Sequence, residues 1–276
     1  MGIIKRSLPL TFVLVLQEVL GELMYAPERH RAIVEAVTRD GRASVLELSD
    51  ALAVAPETIR RDLSVLERQG LVRRVYGGAM PTGRLAFEPS VDLRADTLPE
   101  EKRRIAAAAI AELPSEGAII LDSGTTTGAL IDLIPDSAVL TVVTNSVLHA
   151  AALSKHRNIN VMMLGGRVRS RTLACVDEWA VGSLRGLYAD VAFVGANGIT
   201  PSRGLTTPDR AEATIKGAML MSARRRIVLA DNSKFGDDHF ATFGKLEDVD
   251  VVITDVSVDD DVKDEIEALG PVVVRA

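Results

Sequence analysis

The stretch Ser44-Val-Leu-Glu-Leu-Ser-Asp-Ala-Leu-Ala-Val-Ala-Pro-Glu-Thr-Ile-Arg-Arg-Asp-Leu63 predicts two short helices with a three-residue turn between them. Ser44 can cap the first helix, and Glu47, three residues later, completes a capping box. Pro56 can open the second helix, because the amide hydrogen that proline lacks has no partner in a first turn. Residues 53–55 have the length of a helix-turn-helix turn, which indicates a DNA-binding unit.

The flanking residues predict the rest of a winged helix. Residues 28–39 place Ile33 and Val37 at helical spacing, which predicts a first helix. Residues 71–75 alternate weakly before Gly77-Gly78, as the strands of a two-stranded wing do. We therefore expect a winged helix-turn-helix domain over residues 24–80.

Arginine pairs fall at the two places where a winged helix touches DNA. Arg60 and Arg61 lie at the start of the predicted recognition helix, whereas Arg73 and Arg74 lie on the predicted wing. An isolated arginine pair is more often merely solvated, but here both pairs coincide with contact positions. The predicted DNA-binding residues are Ser44, Thr58, Arg60, Arg61, Arg73, Arg74 and Tyr76.

Charge is unevenly distributed along the chain. The 276 residues carry 32 Lys plus Arg against 38 Asp plus Glu, a net charge of -6. This balance excludes a protein that coats nucleic acid along its whole length. Residues 56–84 nevertheless hold six arginines against three acidic residues. The pattern favours a local basic unit on an acidic body.

The composition also limits the chemistry. Cys175 is the only cysteine, so an internal disulfide is excluded, and no Cys/His cluster has metal-ligand spacing. We expect no metal, no cofactor and a reducing, cytoplasmic setting, with Cys175 buried and inert. Trp179, the only tryptophan, is expected in the core.

Residues 1–23 form an N-terminal extension of uncertain status. Lys5 and Arg6 precede an apolar run over residues 8–16, as in a signal peptide, and no cleavage-site pattern follows. Gln17 and Glu18 end the run short of the roughly 20 residues that a membrane span needs. Two alternatives are that translation starts at Met24 or that these residues form an extra helix; no membrane partner is expected.

Beyond a linker over residues 81–92, short apolar runs alternate with helical stretches. Strands are predicted over residues 118–121, 139–143, 160–164, 191–194, 227–230, 249–253 and 272–274, and helices over 100–113, 147–155, 179–184 and 209–225. Such alternation predicts an α/β domain with a mainly parallel sheet over residues 93–276.

Turns rich in glycine, hydroxyl and amide groups follow several predicted strands. Asp122-Ser-Gly-Thr-Thr-Thr127 offers backbone amides, hydroxyls and a helix start to an anion, although it matches no nucleotide-binding motif. Open parallel sheets bind ligands at the carboxyl ends of their strands, so we expect these turns to form one pocket for a phosphorylated compound. Lys234 and Arg167 are candidates to neutralise the phosphate.

Amide and carboxylate side chains in the same turns are candidates to bind sugar hydroxyls. For Lys216, a surface pair with Glu212 one turn earlier is an equal alternative to a ligand contact. The predicted effector-binding residues are Asp122, Ser123, Gly124, Thr125, Thr126, Thr127, Thr144, Asn145, Gly165, Arg167, Gly195, Asn197, Gly198, Glu212, Lys216 and Lys234.

Several motifs resemble the DeoR family of bacterial regulators. They include Met24-Tyr-Ala-Pro-Glu-Arg29, Thr58-Ile-Arg-Arg-Asp-Leu63 and Arg74-Val-Tyr-Gly-Gly-Ala79. Residues 87–255 resemble the family's C-terminal sensor, which is similar in fold to ribose-phosphate isomerases, most specifically at Gly204-Leu-Thr-Thr-Pro-Asp209. One departure is Ala55, where family members commonly carry a residue that caps the start of the recognition helix. Such a cap stabilises the helix by about 1 kcal/mol.

The resemblance implies a transcriptional repressor of a sugar-catabolic operon. The implied partners are double-stranded operator DNA, a phosphorylated sugar that releases it, and further copies of the chain in a dimer or tetramer. Within the family, Arg171-Thr-Leu-Ala174, Trp179-Ala-Val181 and His239-Phe240 are most similar to actinobacterial fructose-operon repressors. Fructose 1-phosphate is therefore the leading expectation for the effector.

An isomerase-like enzyme with an added DNA-binding domain is the alternative function. Aldose-ketose isomerisation needs a carboxylate base beside the reacting carbons. Where ribose-phosphate isomerases typically place an acidic cluster, this chain has Gly195-Ala-Asn-Gly198. Since an amide cannot take the proton, we expect no catalytic residue and no enzyme activity.

Overall fold

The computed structural model describes residues 25–40, 43–75, 77–81, 88 and 90–276. The chain divides into two compact units, Met1–Thr82 and Gly83–Ala276. The expectations for residues 1–23 and for Tyr76 lie outside the described residues. Among the described residues, we find no helix with the length and apolarity that a membrane span requires.

The first unit is a three-helix domain with a small antiparallel sheet. Its elements are α1 (Ala26–Asp40), β1 (Ala43–Ser44), α2 (Val45–Leu52), α3 (Pro56–Arg68), β2 (Val72–Val75) and β3 (Gly78–Pro81), and the strand order is β1-β3-β2. Ile33 of α1 and Ile59, Leu63 and Leu66 of α3 are fully buried, so the helices share one apolar core. The winged helix-turn-helix prediction is confirmed.

The helix starts follow the sequence signals. Ser44 Oγ accepts a hydrogen bond from the Glu47 amide at 3.1 Å, and the Ser44 amide donates to Glu47 Oε2 at 2.7 Å. The predicted capping box is therefore confirmed. Ala55 gives α3 no side-chain cap, as expected, and Pro56 occupies the first turn.

A buried ion pair joins α1 to α3. Arg29 Nε donates to Asp62 Oδ2 at 2.6 Å, and His30 Nε2 lies 3.0 Å from Asp62 Oδ1. Burial opposes ionisation of Asp62, but the hydrogen bonds from Arg29 and His30 outweigh it and hold the pKa of Asp62 below its ordinary value. The pair therefore fixes the recognition helix against the first helix.

The second unit is built around a seven-stranded, wholly parallel sheet. Its strand order is β15-β14-β12-β9-β4-β5-β6. These strands are β4 (Glu116–Leu121), β5 (Val139–Thr144), β6 (Ile159–Met163), β9 (Ala189–Gly195), β12 (Ala223–Leu229), β14 (Val251–Thr254) and β15 (Val272–Arg275). The predicted mainly parallel sheet is confirmed.

Helices and two small antiparallel sheets complete this unit. The helices are α4 (Val91–Ala95), α5 (Pro99–Ala109), α6 (Thr125–Gly128), α7 (Val147–Leu153), α8 (Asp177–Leu184), α9 (Arg210–Met221) and α10 (Asp260–Glu267), with 3-10 turns at Ile110–Glu112, Ile131–Leu133, Asn232–Lys234 and Leu246–Asp248. The small sheets pair β7 (Arg167–Arg169) with β8 (Ala174–Val176), and β10 (Gly198–Thr200), β11 (Gly204–Thr207) and β13 (Ala241–Gly244) in that order.

Both faces of the large sheet are covered. Ile119 and Phe193 point to the layer that contains α5, whereas Ile120 and Val194 point to the layer that contains α8 and α9. Successive strand residues face opposite sides of a sheet, so continuous apolar runs fill both layers. This explains why the strands lack an alternating pattern.

Two sequence expectations about the fold are wrong. The helix predicted over residues 209–225 ends at Met221, and β12 begins at Ala223. Three successive arginines hide that strand start, because they carry no apolar signal. Trp179 was expected in the core but is 81% exposed on α8. Cys175 is buried as expected, and burial raises the pKa of its thiol.

We predict that Asp62→Asn destabilises the first unit by about 3 kcal/mol, because it removes the carboxylate that pairs with the buried Arg29 charge. Hydrogen exchange of the α3 backbone amides in the full chain measures this loss. Because the pKa of Asp62 is depressed, its contribution is complete above pH about 4 and disappears as the pH falls further.

The matched control is Asp40→Asn, which breaks the exposed pair with Arg39. This change should leave the protection of α3 unaltered. Unchanged protection in Asp62→Asn as well would show that the buried pair does not stabilise the unit.

Candidate functional site

A cavity of about 270 Å³ lies at the carboxyl ends of three adjacent strands of the large sheet. In the register of the sheet, Leu121 of β4 pairs with Phe193 of β9, and Gly195 of β9 pairs with Leu229 of β12. The turns that follow these strands therefore meet. The lining residues are Arg94, Thr97, Lys102, Gly124, Thr125, Thr126, Gly195, Ala196, Asn197, Lys216, Leu229, Asp231, Ser233, Lys234, Asp237 and His239.

Seven of the sixteen predicted effector-binding residues line this cavity. They are Gly124, Thr125, Thr126, Gly195, Asn197, Lys216 and Lys234. The other nine lie outside the lining: Asp122, Ser123, Thr127, Thr144, Asn145, Gly165, Arg167, Gly198 and Glu212. Several of these nine hold the lining residues in place instead.

Asp122 and Lys216 form a buried ion pair at the cavity, with Lys216 in the lining and Asp122 behind it. Asp122 is fully buried at the end of β4, and Lys216 on α9 donates to its Oδ2. Lys216 Nζ also donates to the Gly195 carbonyl at 2.9 Å, and the Gly195 amide donates to Asp122 Oδ2 at 3.0 Å. One carboxylate thus ties together the ends of β4 and β9 and helix α9. The alternative surface pair between Lys216 and Glu212 is wrong.

The glycine and threonine turn after β4 is held by its own hydroxyl groups. Thr127 Oγ1 lies 2.7 Å from the carbonyl oxygens of both Asp122 and Gly124 and can donate to either. Gly124 is packed closely, since a Cβ there would lie 3.2 Å from Thr127 Oγ1. Thr127 therefore shapes the turn that presents Thr125 and Thr126 to the cavity.

Three cationic side chains converge on one part of the lining. They are Arg94 on α4, Lys102 on α5 and Lys234 after β12. Lys102 Nζ donates to the carbonyls of Arg94 and Thr97. Arg94 Nε and Nη2 are buried and have no hydrogen-bond partner in the described part of the chain. An anion in the cavity would supply the missing acceptor.

The ionisation state of Lys102 depends on the groups around it. Burial lowers the pKa of Lys102 to about 8; Asp231 opposes the shift, and Lys234 and Arg94 add to it. Lys102 is thus largely charged at neutral pH and largely neutral well above pH 8. A bound anion would favour its charged form.

Acceptor atoms complete the lining. Asp231 is buried, and its Oδ1 accepts a hydrogen bond from the Ser233 amide at 3.2 Å, while Oδ2 has no partner among the described residues. His239 Nδ1 is also buried without a partner there, and burial lowers the pKa of His239. Such acceptors suit the hydroxyl groups of a sugar.

Sequence reasoning missed Arg94 and Lys102, although a signal for Lys102 existed. On α5 it shares one helical stripe with Ile105, Ala106 and Ala109, all buried. A lysine on the apolar stripe of a helix is buried with it, which points to a local anion or carbonyl partner. Arg94 gave no comparable signal, because α4 has only five residues.

Arg167, a predicted phosphate ligand, lies elsewhere. Its Nε pairs with Asp177 Oδ2 at 2.7 Å on an exposed part of the surface. Asn145 is buried and donates to the Cys175 carbonyl at 3.2 Å. Both residues therefore bind protein groups, and only a rearrangement would bring them to a ligand in the cavity.

A second buried charge network lies beside the first. Arg169 bonds Glu88 Oε2 at 2.7 Å and Glu212 Oε1 at 2.5 Å, and it lies 3.3 Å from Asp209 Oδ2. Burial opposes the Arg169 charge, but the carboxylates outweigh it and raise its pKa. Glu212 and Lys216 lie one turn apart on the buried face of α9. The network thus links residue 88 to the helix that carries Lys216.

The predicted DNA-binding residues of the first unit are mostly exposed. Arg60 pairs with Glu57 at 3.1 Å, and Arg74 Nη1 donates to Ser64 Oγ at 2.8 Å. Arg61 and Arg73 are exposed and make no side-chain ion pair within the described residues. The remaining described members, Ser44 and Thr58, are half-buried.

Comparisons with known proteins cover both units. The model of the DeoR-like helix-turn-helix domain matches residues 29–82, and that of the DeoR C terminal sensor domain matches residues 98–256. The structure also aligns with ribose 5 phosphate isomerase A from Neisseria gonorrhoeae over 49% of this chain and 53% of that chain, with 16% identity and a TM-score of 0.37.

Three relatives illustrate the match to whole proteins. The chain is 38% identical to the HTH-type transcriptional regulator GlpR of Haloferax volcanii over 91% of this chain and 98% of the relative. Identity is 35% to the uncharacterized HTH-type transcriptional regulator FruR of Bacillus subtilis and 32% to the glycerol-3-phosphate regulon repressor of Escherichia coli, each over 84% of this chain and 92% of the relative. These three names describe regulators and not isomerases. The chain belongs to the DeoR family of transcriptional regulators.

Proposed function

We propose that this regulator represses a sugar-catabolic operon and leaves its operator when a phosphorylated sugar occupies the cavity. The observation that carries the proposal is that the lining holds both positive charge and buried acceptor atoms. Arg94, Lys102 and Lys234 supply positive charge for a phosphate. Asp231 Oδ2 and His239 Nδ1, which have no hydrogen-bond partner among the described residues, are acceptors for hydroxyl groups, and Asp231 Oδ1 lies 3.9 Å from Lys234 Nζ. A ligand with a phosphate and hydroxyl groups satisfies both kinds of lining group.

The cavity size limits the effector. At about 270 Å³ it is near the lower end of ligand pockets, which favours a single small metabolite over a dinucleotide. Fructose 1-phosphate is our first choice of effector, supported by the sequence likeness to fructose-operon repressors. Glycerol 3-phosphate is the comparison ligand, because one relative is named for a glycerol-3-phosphate regulon.

On the DNA side, two or more copies place α3 in successive major grooves of the operator, in the cytoplasm. Arg60 and Arg61 contact bases and phosphates, and Arg73 and Arg74 on the wing contact the backbone. The exposure of these four arginines supports this assignment.

Helix α9 provides a physical route from the cavity to the chain that leads to the DNA-binding unit. Lys216 lines the cavity, and Glu212 on the same helix bonds Arg169, which holds Glu88. A small shift of α9 on ligand binding would change both contacts. The effector then favours an arrangement with weaker operator affinity.

We predict that Arg60→Ala and Arg61→Ala each weaken operator binding by about 1–3 kcal/mol, because each removes a contact to DNA. Fluorescence anisotropy with labelled operator at fixed salt measures the effect. The control is Arg103→Ala, which removes an equal charge from an exposed pair with Glu100 on α5. Equal losses in all three variants would point to net charge instead of a recognition helix.

Lys234→Ala should weaken the binding of fructose 1-phosphate by roughly tenfold, because it removes a charged partner of the phosphate. Operator affinity without sugar should stay the same. Gel shifts with increasing fructose 1-phosphate, glycerol 3-phosphate or free fructose measure release. Lys155→Ala, which removes an exposed lysine outside the lining, is the control. Normal release of Lys234→Ala would overturn the assignment of this lysine.

Binding of fructose 1-phosphate should weaken as the pH rises through about 8, because Lys102 loses its charge there. A phosphate monoester has its second pKa near about 6, so its own charge is constant over this range. Calorimetric titration at pH 7, 8 and 9 measures how the affinity for fructose 1-phosphate depends on pH. Lys102→Arg, which stays charged, should make the affinity nearly independent of pH over this range. The same pH dependence in that variant as in the unaltered chain would assign the titration to another group.

A further inference from the structure

The outer face of α9 carries unusually little charge. Arg210, Thr214, Ala218 and Met221 recur there at helical spacing, and Met221 is 72% exposed. The other charged residues of α9 are buried in the networks described above. Solvated helix faces normally carry many charged residues, so this face has the composition of a covered surface.

Large aromatic side chains flank this helix. Trp179 on α8 is 81% exposed and Phe240 before β13 is 62% exposed. A groove of about 870 Å³ lies between α8 and α9 beside Trp179, and one of about 490 Å³ lies on the Phe240 side. Both grooves are lined by Arg210 and Thr214, so they form one continuous surface, here named the α8–α9 face.

The charges on α8 are arranged for self-pairing. Glu178 lies in the first turn of the helix and Arg185 directly follows its end; both are exposed, and neither has an ion-pair partner within the described residues. Gly182 lies between them on the same stripe, and a Cβ at this position would meet nothing within 4 Å. Two antiparallel copies of α8 crossing at Gly182 would place each Glu178 opposite the other copy's Arg185.

We propose that the α8–α9 face binds the same face of a second copy of this chain. A twofold axis through Gly182 makes the contact isologous, so one surface supplies both partners. Trp179 of each copy then enters the groove between α8 and α9 of the other. The exposed acid and base on α8 favour a second copy as the occupant, because a twofold axis through Gly182 places each Glu178 opposite the other copy's Arg185.

The same helix connects this interface to the ligand site. The inner face of α9 carries Lys216 and Glu212, and its outer face forms the interface. Ligand binding and subunit pairing therefore act on one rigid element. The inference rests on the proposed function only in that operator binding uses two or more copies.

Trp179 is the only tryptophan in the chain, so its fluorescence reports directly on this face. We expect sedimentation equilibrium of the full chain to give a dimer or larger assembly with blue-shifted tryptophan emission. On dilution into monomers, the emission should shift to the red.

Charge variants test the pairing itself. Glu178→Arg should weaken association by at least roughly tenfold, because it faces Arg185 of the other copy. The double variant Glu178→Arg with Arg185→Glu should restore association. The matched control is Glu265→Arg on α10, which changes an exposed glutamate remote in sequence from this face and should have no effect.

Two results would overturn the inference. One is a monomer at every concentration that binds operator; the other is an assembly in which Trp179 emission stays red-shifted and Glu178→Arg has no effect. Operator binding and sugar-phosphate release are measured on the same preparations. If operator binding and sugar-phosphate release persist while the tests of the α8–α9 face give a negative result, only this inference is wrong and the proposed function stands.

Discussion

The ion pair between Asp122 and Lys216 is the contact on which the sensor unit depends. A buried carboxylate and a buried ammonium are each costly to remove from water, and the cost is offset only when both are hydrogen-bonded. Here the partners of Lys216 Nζ and Asp122 Oδ2 are each other and the backbone of Gly195, whereas Asp122 Oδ1 is buried with no hydrogen-bond partner among the described residues. The pair therefore fixes the ends of two central strands and the position of α9 in a single arrangement.

That arrangement explains why the cavity lies where it does. Parallel strands bring their carboxyl ends to one edge, and the chain fills that edge with short polar turns instead of apolar side chains. Arg94 and Lys102 reach the same edge from helices that precede the first strand of the sheet. Cations that share a cavity repel each other, so a dianionic ligand stabilises them together.

The sequence predicted local structure well and long-range pairing less well. The capping box at Ser44, the wing and the parallel strands follow from patterns within about ten residues, which is the range over which caps and turns act. The network around Arg169 joins residues far apart in the chain, and no local pattern encodes such partners. Trp179 and Lys102 were misjudged or missed for a related reason. The residue type predicts a buried tryptophan and an exposed lysine, but the helices and strands packed around each residue determine whether its side chain is buried.

In the proposed function, the sugar phosphate and operator DNA each weaken the binding of the other to this protein. The most direct test of this antagonism is a calorimetric titration of fructose 1-phosphate into the full chain, with and without saturating operator DNA. Linkage requires the operator to weaken sugar-phosphate binding by the same factor by which the sugar phosphate weakens operator binding. Equal factors above one are the predicted result. Sugar-phosphate binding of the same affinity in both titrations would contradict the account.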